Sequence, residues 1–456
     1  MKYLTLFFCT GGLLLCLECK KGNIEKPEPL SPAQTALLRG MNSGPHHVIY
    51  VQNPGMLNDI QPAVQAAINS ANNGDEIRLP EGVFSVVRTI VITKFISVSG
   101  SGMTSTILFR PESLSDTLLS ADSLNCMFKF NINSTQPSGI FVSDLCLRSK
   151  SPCVTTGDGG SLAPDIGIKM ISCTDFVIRR CLFQFFGSAA ICVQHDDLVA
   201  RGLVTSCMFS HNVKGPTGLG LGYGIVIFGA NKQWITDPRF GSENFIFIEN
   251  NTFDFHRHSV AAGGCALYVF RYNTVANNNI GAYSAQAIDA HEARQQSGLN
   301  YYSTRAVEIY NNTVVNTTFM DGTPIVPGQS SKNLVENAVM VRGGEALIHD
   351  NQFQGYRFGV GISNFVITGP QTYPIFTQPG YASGLAFGSN DTGIVNGHGD
   401  GDLFTWNNQF TPYIGTDTSG SFYNYLPQYF QQERDFHFVP KPQYQTYPYP
   451  HPHAGN

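Results

Sequence analysis

Seven short stretches of the chain share one pattern: "FVIRRCLF" (176–183), "LVTSCMF" (203–209), "IFIENNTF" (246–253), "YVFRYNTV" (268–275), "VEIYNNTV" (307–314), "ALIHDNQF" (346–353) and "LFTWNNQF" (403–410). Each is a β-type run, a polar pair, an Asn or Cys, one further residue, then Phe or Val. The fixed column is Cys181, Cys207, Asn251, Asn273, Asn312, Asn351 and Asn408. Apolar–polar alternation marks strands with one buried face. A unit that recurs along a chain and cannot bury its own face must stack on copies of itself. The shortest interval, Asn251 to Asn273, suits one coil of three short strands and their turns. Longer intervals then hold loops inserted at the turns.

The recurring Asn has a physical rationale. It tolerates left-handed backbone, its amide can bond nearby main chain, and on stacked coils it can bond the Asn above and below. A second strand set lies between the repeats: "AAICV" (189–193), "GIVIFG" (224–229), "AIDAH" (287–291), "AVMVR" (338–342) and "GVGIS" (359–363). Together the two sets describe the coils of an all-β, single-stranded parallel β-helix, in which each coil needs a neighbour and the end needs a cap. The cysteine pairs 126/153, 146/173 and 181/207 are each spaced close to one coil. Stacked buried thiols explain that spacing as well as disulfides do.

Composition fits such a fold: 46 glycines, 42% hydrophobic residues and only 13% charged ones. The net charge of −5 carries no basic stripe for nucleic acid. The opening "MKYLTLFFCTGGLLLCLECKKG" has one Lys and an apolar run too short to span a bilayer. It resembles a bacterial lipoprotein signal, which implies lipidation at Cys16 or Cys19. The expected organisation is a signal at 1–19, a tether at 20–45, the cap and first coils at 46–100, the β-helix at 101–415, and a C-terminal extension at 416–456 that packs on the helix. The expected location is outside the cytoplasm, lipid-anchored at the outer membrane or cell surface, or otherwise periplasmic or secreted. Membrane contact is expected only through that anchor.

"IQPAVQAAINSANNGDEIRLPEGVF" (60–84) resembles the opening of right-handed parallel β-helix proteins of the pectate-lyase superfamily. There, an amphipathic helix, here with Ile60, Val64, Ala67, Ile68 and Ala71 on one face, caps the first coil. The closing "YQTYPYPHPH" (444–453) resembles the tails of secreted bacterial members. The resemblance implies the fold and leaves activity open, because this fold hosts lyases, hydrolases and non-catalytic binders. The lyase "WIDH" element is absent. Asp196-Asp197 and "GHGDGD" (397–402) stand too far apart for a polygalacturonase set, and the latter reads as a polar turn rather than a cation site at Asp400 and Asp402.

The stretch "AQAIDAHEAR" (285–294) packs Asp289, His291, Glu292 and Arg294 into ten positions of a chain that is only 13% charged. Aligning "AIDAH" on "AVMVR" sends Asp289 and His291 outward and sets His291 beside Arg342 on the next coil. "HRHSVAAGG" aligns one coil earlier, bringing His256, Arg257 and His258 from the preceding turn. Glu292, Arg294 and Tyr283 flank the group as substrate-binding candidates. Eliminative cleavage of a uronic-acid polymer needs a cation on the carboxylate, a base for the adjacent proton and an acid for the leaving oxygen. Arg342 or Arg294, His291 oriented by Asp289, and Tyr283, Tyr301 or Tyr302 supply those types. Glycoside hydrolysis through Asp289 and Glu292 is the alternative enzyme. A metal site from His256, His258, His291 and Asp289 is a third option, though no metal ligand set is assigned; calcium is the cation considered. A glycan-binding or structural surface lipoprotein, with Tyr223, Trp234 and Tyr283 as stacking platforms, is the non-catalytic option. The expected partner is a polysaccharide met by a monomer. Glu249 and Arg271 read as an exposed ladder pair, and Arg179 and His349 as solvated.

Overall fold

The computed structural model describes residues 47–455 apart from 115–124, 133–138, 151–164, 196–200, 214–221, 230–236, 277–285, 292–293, 297–298, 302, 319–323, 325–334, 364–402, 412–417 and a few single positions between 426 and 434. Cys16, Cys19, the tether, Tyr283, Glu292, Tyr302, Trp234, Asp196, Asp197, Asp400 and Asp402 therefore lie outside the described residues. Among the described residues no helix is long and apolar enough to cross a membrane.

Strands stack coil upon coil in two parallel sheets. Among the described residues sheet A holds 20 strands and sheet B ten, and every pairing between coils is parallel. This is the parallel β-helix the repeats predict. Each repeat supplies two short strands of sheet A at an angle to one another, as in Ile246–Glu249 followed by Thr252–Asp254. The second strand set forms sheet B: Ala189–Gln194, Tyr223–Phe228, His258–Gly263, Gln286–Ala290, Asn337–Val341 and Phe358–Ile362 pair in that order. The stack continues past 415, since Phe422–Asn424 joins sheet B and Phe436–His437 joins sheet A.

Helix α1 (Gln61–Ser70) closes the first coil with Val64 and Ile68 buried. Its C-terminal carbonyls are capped by Lys94, whose Nζ donates to Ile68, Asn69 and Ala71 at 3.2, 2.9 and 2.7 Å. A cation there complements the negative end of the helix. Inside the bore the apolar residues stack by type: Phe183, Phe209 and Phe253 have centroids 5.1 and 4.5 Å apart.

The Asn column forms a continuous ladder. The Asn251 amide donates to Asn273 Oδ1 (3.1 Å), Asn273 to Asn312 (3.2 Å), Asn312 to Asn351 (2.9 Å) and Asn351 to Asn408 (2.9 Å). Each main-chain N–H of the column from Cys207 to Asn351 also donates to the next Oδ1. Where the column holds cysteine, the thiol takes over the inward bond: Cys181 and Cys207 donate to Val142 and Ile178 carbonyls at 3.7 Å. All seven described cysteines are free thiols.

One expectation is corrected. The left-handed residue is the one before the ladder position: Arg180, Ser206, Asn250, Tyr272, Asn311, Asp350 and Asn407 have φ between 50° and 57°. That residue turns the corner, which leaves the Asn amide in regular backbone, facing in.

Candidate functional site

The outer face of sheet B carries the cluster. Three outward columns run along the axis. One holds Tyr223 and His258, the next Val226, Ala261, Asp289 and Met340, and the third Phe228 and Gly263. His291 and Arg342 extend the third column, because Ala290 pairs with Val341 and the Arg342 N–H donates to the Ala290 carbonyl at 2.8 Å. His291 and Arg342 are thus one ladder step apart, about 4.8 Å between backbones.

Asp289 and Arg342 form a two-point ion pair. Arg342 Nε donates to Oδ1 at 3.0 Å, and Nη2 donates to Oδ2. The Asp289 side chain is 0% exposed and that of Arg342 5%. Burial pushes the Asp289 carboxyl up, but Arg342, with His291, outweighs it and holds the group well below the usual carboxylate range. Asp289 faces outward as expected yet is enclosed, and its oxygens grip the guanidinium rather than sitting ready to accept protons.

His258 is buried beneath Tyr223, with ring centroids 5.5 Å apart and planes 18° apart. Its Nδ1 lies 2.6 Å from the Gln286 carbonyl, so Nδ1 carries the proton. Burial, aided by Arg257, pushes its pKa down to about 3, which makes it a neutral imidazole. Arg257 donates to the Tyr223 hydroxyl at 3.0 Å and lies 5.7 Å over its ring. Arg257, Tyr223 and His258 therefore brace the start of the strand that leads to Asp289.

His256 does not join the group. Phe255, at φ 57°, turns the chain so that His256 points into the bore. There its Nε2 is 3.2 Å from the Phe209 carbonyl and its ring meets Phe253 edge-on. Burial pushes its pKa down to about 4. Arg294 begins a two-stranded antiparallel hairpin, Arg294–Gln296 with Leu299–Tyr301, within the insertion that follows His291.

His291 is half-buried, and its coil neighbour in the same column is Gly263. A Cβ placed on Gly263 meets only His291 Cβ, at 3.9 Å. Among the described residues, then, no other side chain crowds this position beside His291. Two coils before His291, Phe228 is 43% exposed in the same column. The turn beneath the cluster holds a further buried ion pair, Arg305–Glu345 at 2.8 Å, which the sequence reading missed. Neither residue repeats in the pattern, so only the fold brings them together. Among the described residues no group of three metal-ligating side chains converges, so the His256, His258, His291 and Asp289 set does not assemble.

The sheet A expectations need correction. Glu249 and Arg271 are both 0% exposed, because the C-terminal segment lies over them. Arg271 donates to the Tyr447 and Pro448 carbonyls at 2.6 and 2.8 Å. His349 is 4% exposed, stacked between Tyr310 and Trp406 at 4.8 and 4.2 Å. Arg179 is half-buried over the Phe141 ring.

No protein-family model matches the sequence. No curated protein matches it. Among solved structures, the chain is similar to a mannuronic acid specific polysaccharide family 6 lyase from human gut microbiota, with TM-score 0.43, 12% identity, and 87% of this chain and 91% of that one covered. A surface adhesin of Streptococcus pneumoniae gives TM-score 0.41 and 11% identity over 84% and 81%. A Geobacillus virus E2 protein gives TM-score 0.37 and 11% identity over 84% of this chain; the chain spans 60% of that protein's length.

Proposed function

We propose that the outer face of sheet B binds a polysaccharide and cleaves a uronic-acid-containing polymer by elimination. The observation that carries this reading is the adjacency of His291 and Arg342 on neighbouring coils. Arg342 supplies the cation that neutralises a substrate carboxylate. Charge there acidifies the neighbouring carbon-bound proton, and His291 takes it as general base. The electron pair left behind forms the carbon–carbon double bond and expels the glycosidic oxygen, to which Tyr283, Tyr301 or Tyr302 gives a proton as the acid. Asp289 is a positioning residue: its two bonds fix the plane of the guanidinium fork.

Glycoside hydrolysis through Asp289 and Glu292 fits less well. It needs one carboxyl that holds a proton at working pH. Asp289 is ionised, enclosed and paired. A non-catalytic glycan binder is the second reading, favoured by the exposed Phe228 in the same column.

The test is a screen of purified protein against uronic-acid polymers, read by the ultraviolet absorbance of an unsaturated product. His291→Ala is expected to lower the rate roughly 10²–10⁴-fold. Retention on a polymer with no product from any of them favours the binder. We also propose that the chain is exported and lipid-anchored at Cys16 or Cys19. Replacing both cysteines is expected to abolish labelling by a fatty-acid analogue; unchanged labelling refutes the anchor.

A further inference from the structure

The C-terminal segment crosses the outer face of sheet A far from the site above. Buried charged side chains hold it. Arg271 grips the Tyr447 and Pro448 carbonyls, and Glu249 accepts the His451 N–H at 2.9 Å. Glu308 accepts the Tyr444 hydroxyl at 2.5 Å and the Gly241 N–H at 2.7 Å. The Tyr449 ring stacks on Tyr272 with centroids 3.5 Å apart.

One side chain in this contact tolerates only one protonation state. His451 is 7% exposed, and its ring rests on Phe247 at 4.7 Å and Tyr447 at 5.3 Å. Its Nδ1 accepts the His453 N–H at 3.2 Å. A proton on Nδ1 abolishes that bond. It also places a second cation beside Arg271, whose guanidinium already lies 4.8 Å over Phe247.

We propose that the C-terminal segment is an acid-released strap, docked on sheet A near neutral pH and freed below it while the coils underneath stay folded.

The charged and titratable neighbours oppose or assist this as follows. Glu249, Arg271, Tyr310 and Glu308 face the strap from the coils, and Tyr444, Tyr447, Tyr449 and His453 belong to it. His453 has Asp175, Glu243 and Arg201 around it, and His349 with Asp350 lies beside Tyr444. Burial holds His451 and His453 below the ordinary imidazole value. Their contribution to docking is present above about pH 6.5 and is lost as pH falls, because the freed strap takes protons that the docked one refuses. Glu308 acts the other way. Burial raises it to about 7, so between roughly pH 4.5 and 7 the docked state takes a proton there that the free state does not. His451 and His453 thus favour release as pH falls, and Glu308, with Asp175 beside His453 likewise raised by burial, opposes it.

Amide hydrogen exchange on the full chain tests this, comparing residues 444–454 with the strand at 246–249. Corrected for intrinsic rate, exchange of the strap is expected to rise as pH falls below about 6.5, by up to about tenfold per pH unit for each net proton taken up, while the strand stays protected. His451→Phe, which keeps the ring on Phe247, is expected to flatten that dependence, and His453→Gln to flatten it likewise. Glu308→Gln is expected to steepen it. The proposal is overturned if strap protection is constant from pH 7 to 4.5, if neither histidine variant changes the profile, or if strap and strand open together.

Discussion

Two buried arginine–carboxylate pairs sit on the two sheets, and their surroundings differ. Arg271–Glu249 on sheet A has its remaining valences met by the chain itself: Tyr310 Oη, the Tyr447 and Pro448 carbonyls and the His451 N–H. Arg342–Asp289 on sheet B stands beside His291 and the bare position at Gly263. The same residue types thus serve two ends. The sheet A pair anchors a segment. The sheet B pair fixes the plane of a buried guanidinium beside the half-buried His291. What separates them is which surface the C-terminal segment reaches.

The largest effects come from breaking either pair. Glu249→Gln and Asp289→Asn each leave a buried guanidinium without its counter-charge, and each is expected to cost about 3–5 kcal/mol in denaturant unfolding. The comparison predicts a split. Glu249→Gln also makes residues 444–454 sensitive to protease in the native state, and Asp289→Asn does not. Equal sensitivity in both variants would refute the anchor role.

The pH dependence sharpens the contrast. The native pKa of Asp289 is depressed, so its stabilisation is fully present above the unfolded carboxylate value near 4. It is lost as pH falls through the depressed native value. Acid unfolding of Asp289→Asn should lack that contribution, showing a shallower loss of stability below about pH 4 than the native chain.

Smaller effects are expected inside the ladder. Asn312→Ala strands the Asn273 N–H and removes the amide bond to Asn351, a cost of about 1–3 kcal/mol by denaturant titration. Cys207→Ala, which removes only weak thiol bonds, should cost about 1 kcal/mol or less.

The sequence exposed whatever repeats. The Asn/Cys column and the inward residues of sheet B recur or alternate, so spacing alone revealed them, and the cap face of α1 followed from the family resemblance of 60–84. The register of His291 with Arg342 followed from the same alignment. Features made by one-off contacts were hidden. Glu249 and Arg271 looked exposed because their cover lies some 200 positions away in the chain, as the His451 N–H bond to Glu249 shows. His256 was misplaced because the left-handed Phe255 reverses its parity, and a lone Phe carries no signal for such a turn. Arg305 and Glu345 meet only because the turns of two coils stack.

The change of ladder residue from Cys207 to Asn251 divides the solenoid into two grades of stiffness. In a stack where each layer touches only its neighbours, local opening follows the weakest joints. From Asn251 to Asn408 every step is crossed by two amide bonds, one from main chain and one from side chain. At Cys181 and Cys207 the column's side chains offer sulfur instead, at longer range. Under a pulling force along the axis the N-terminal coils are the compliant ones, and His291 and Arg342 ride on the half that stretches least.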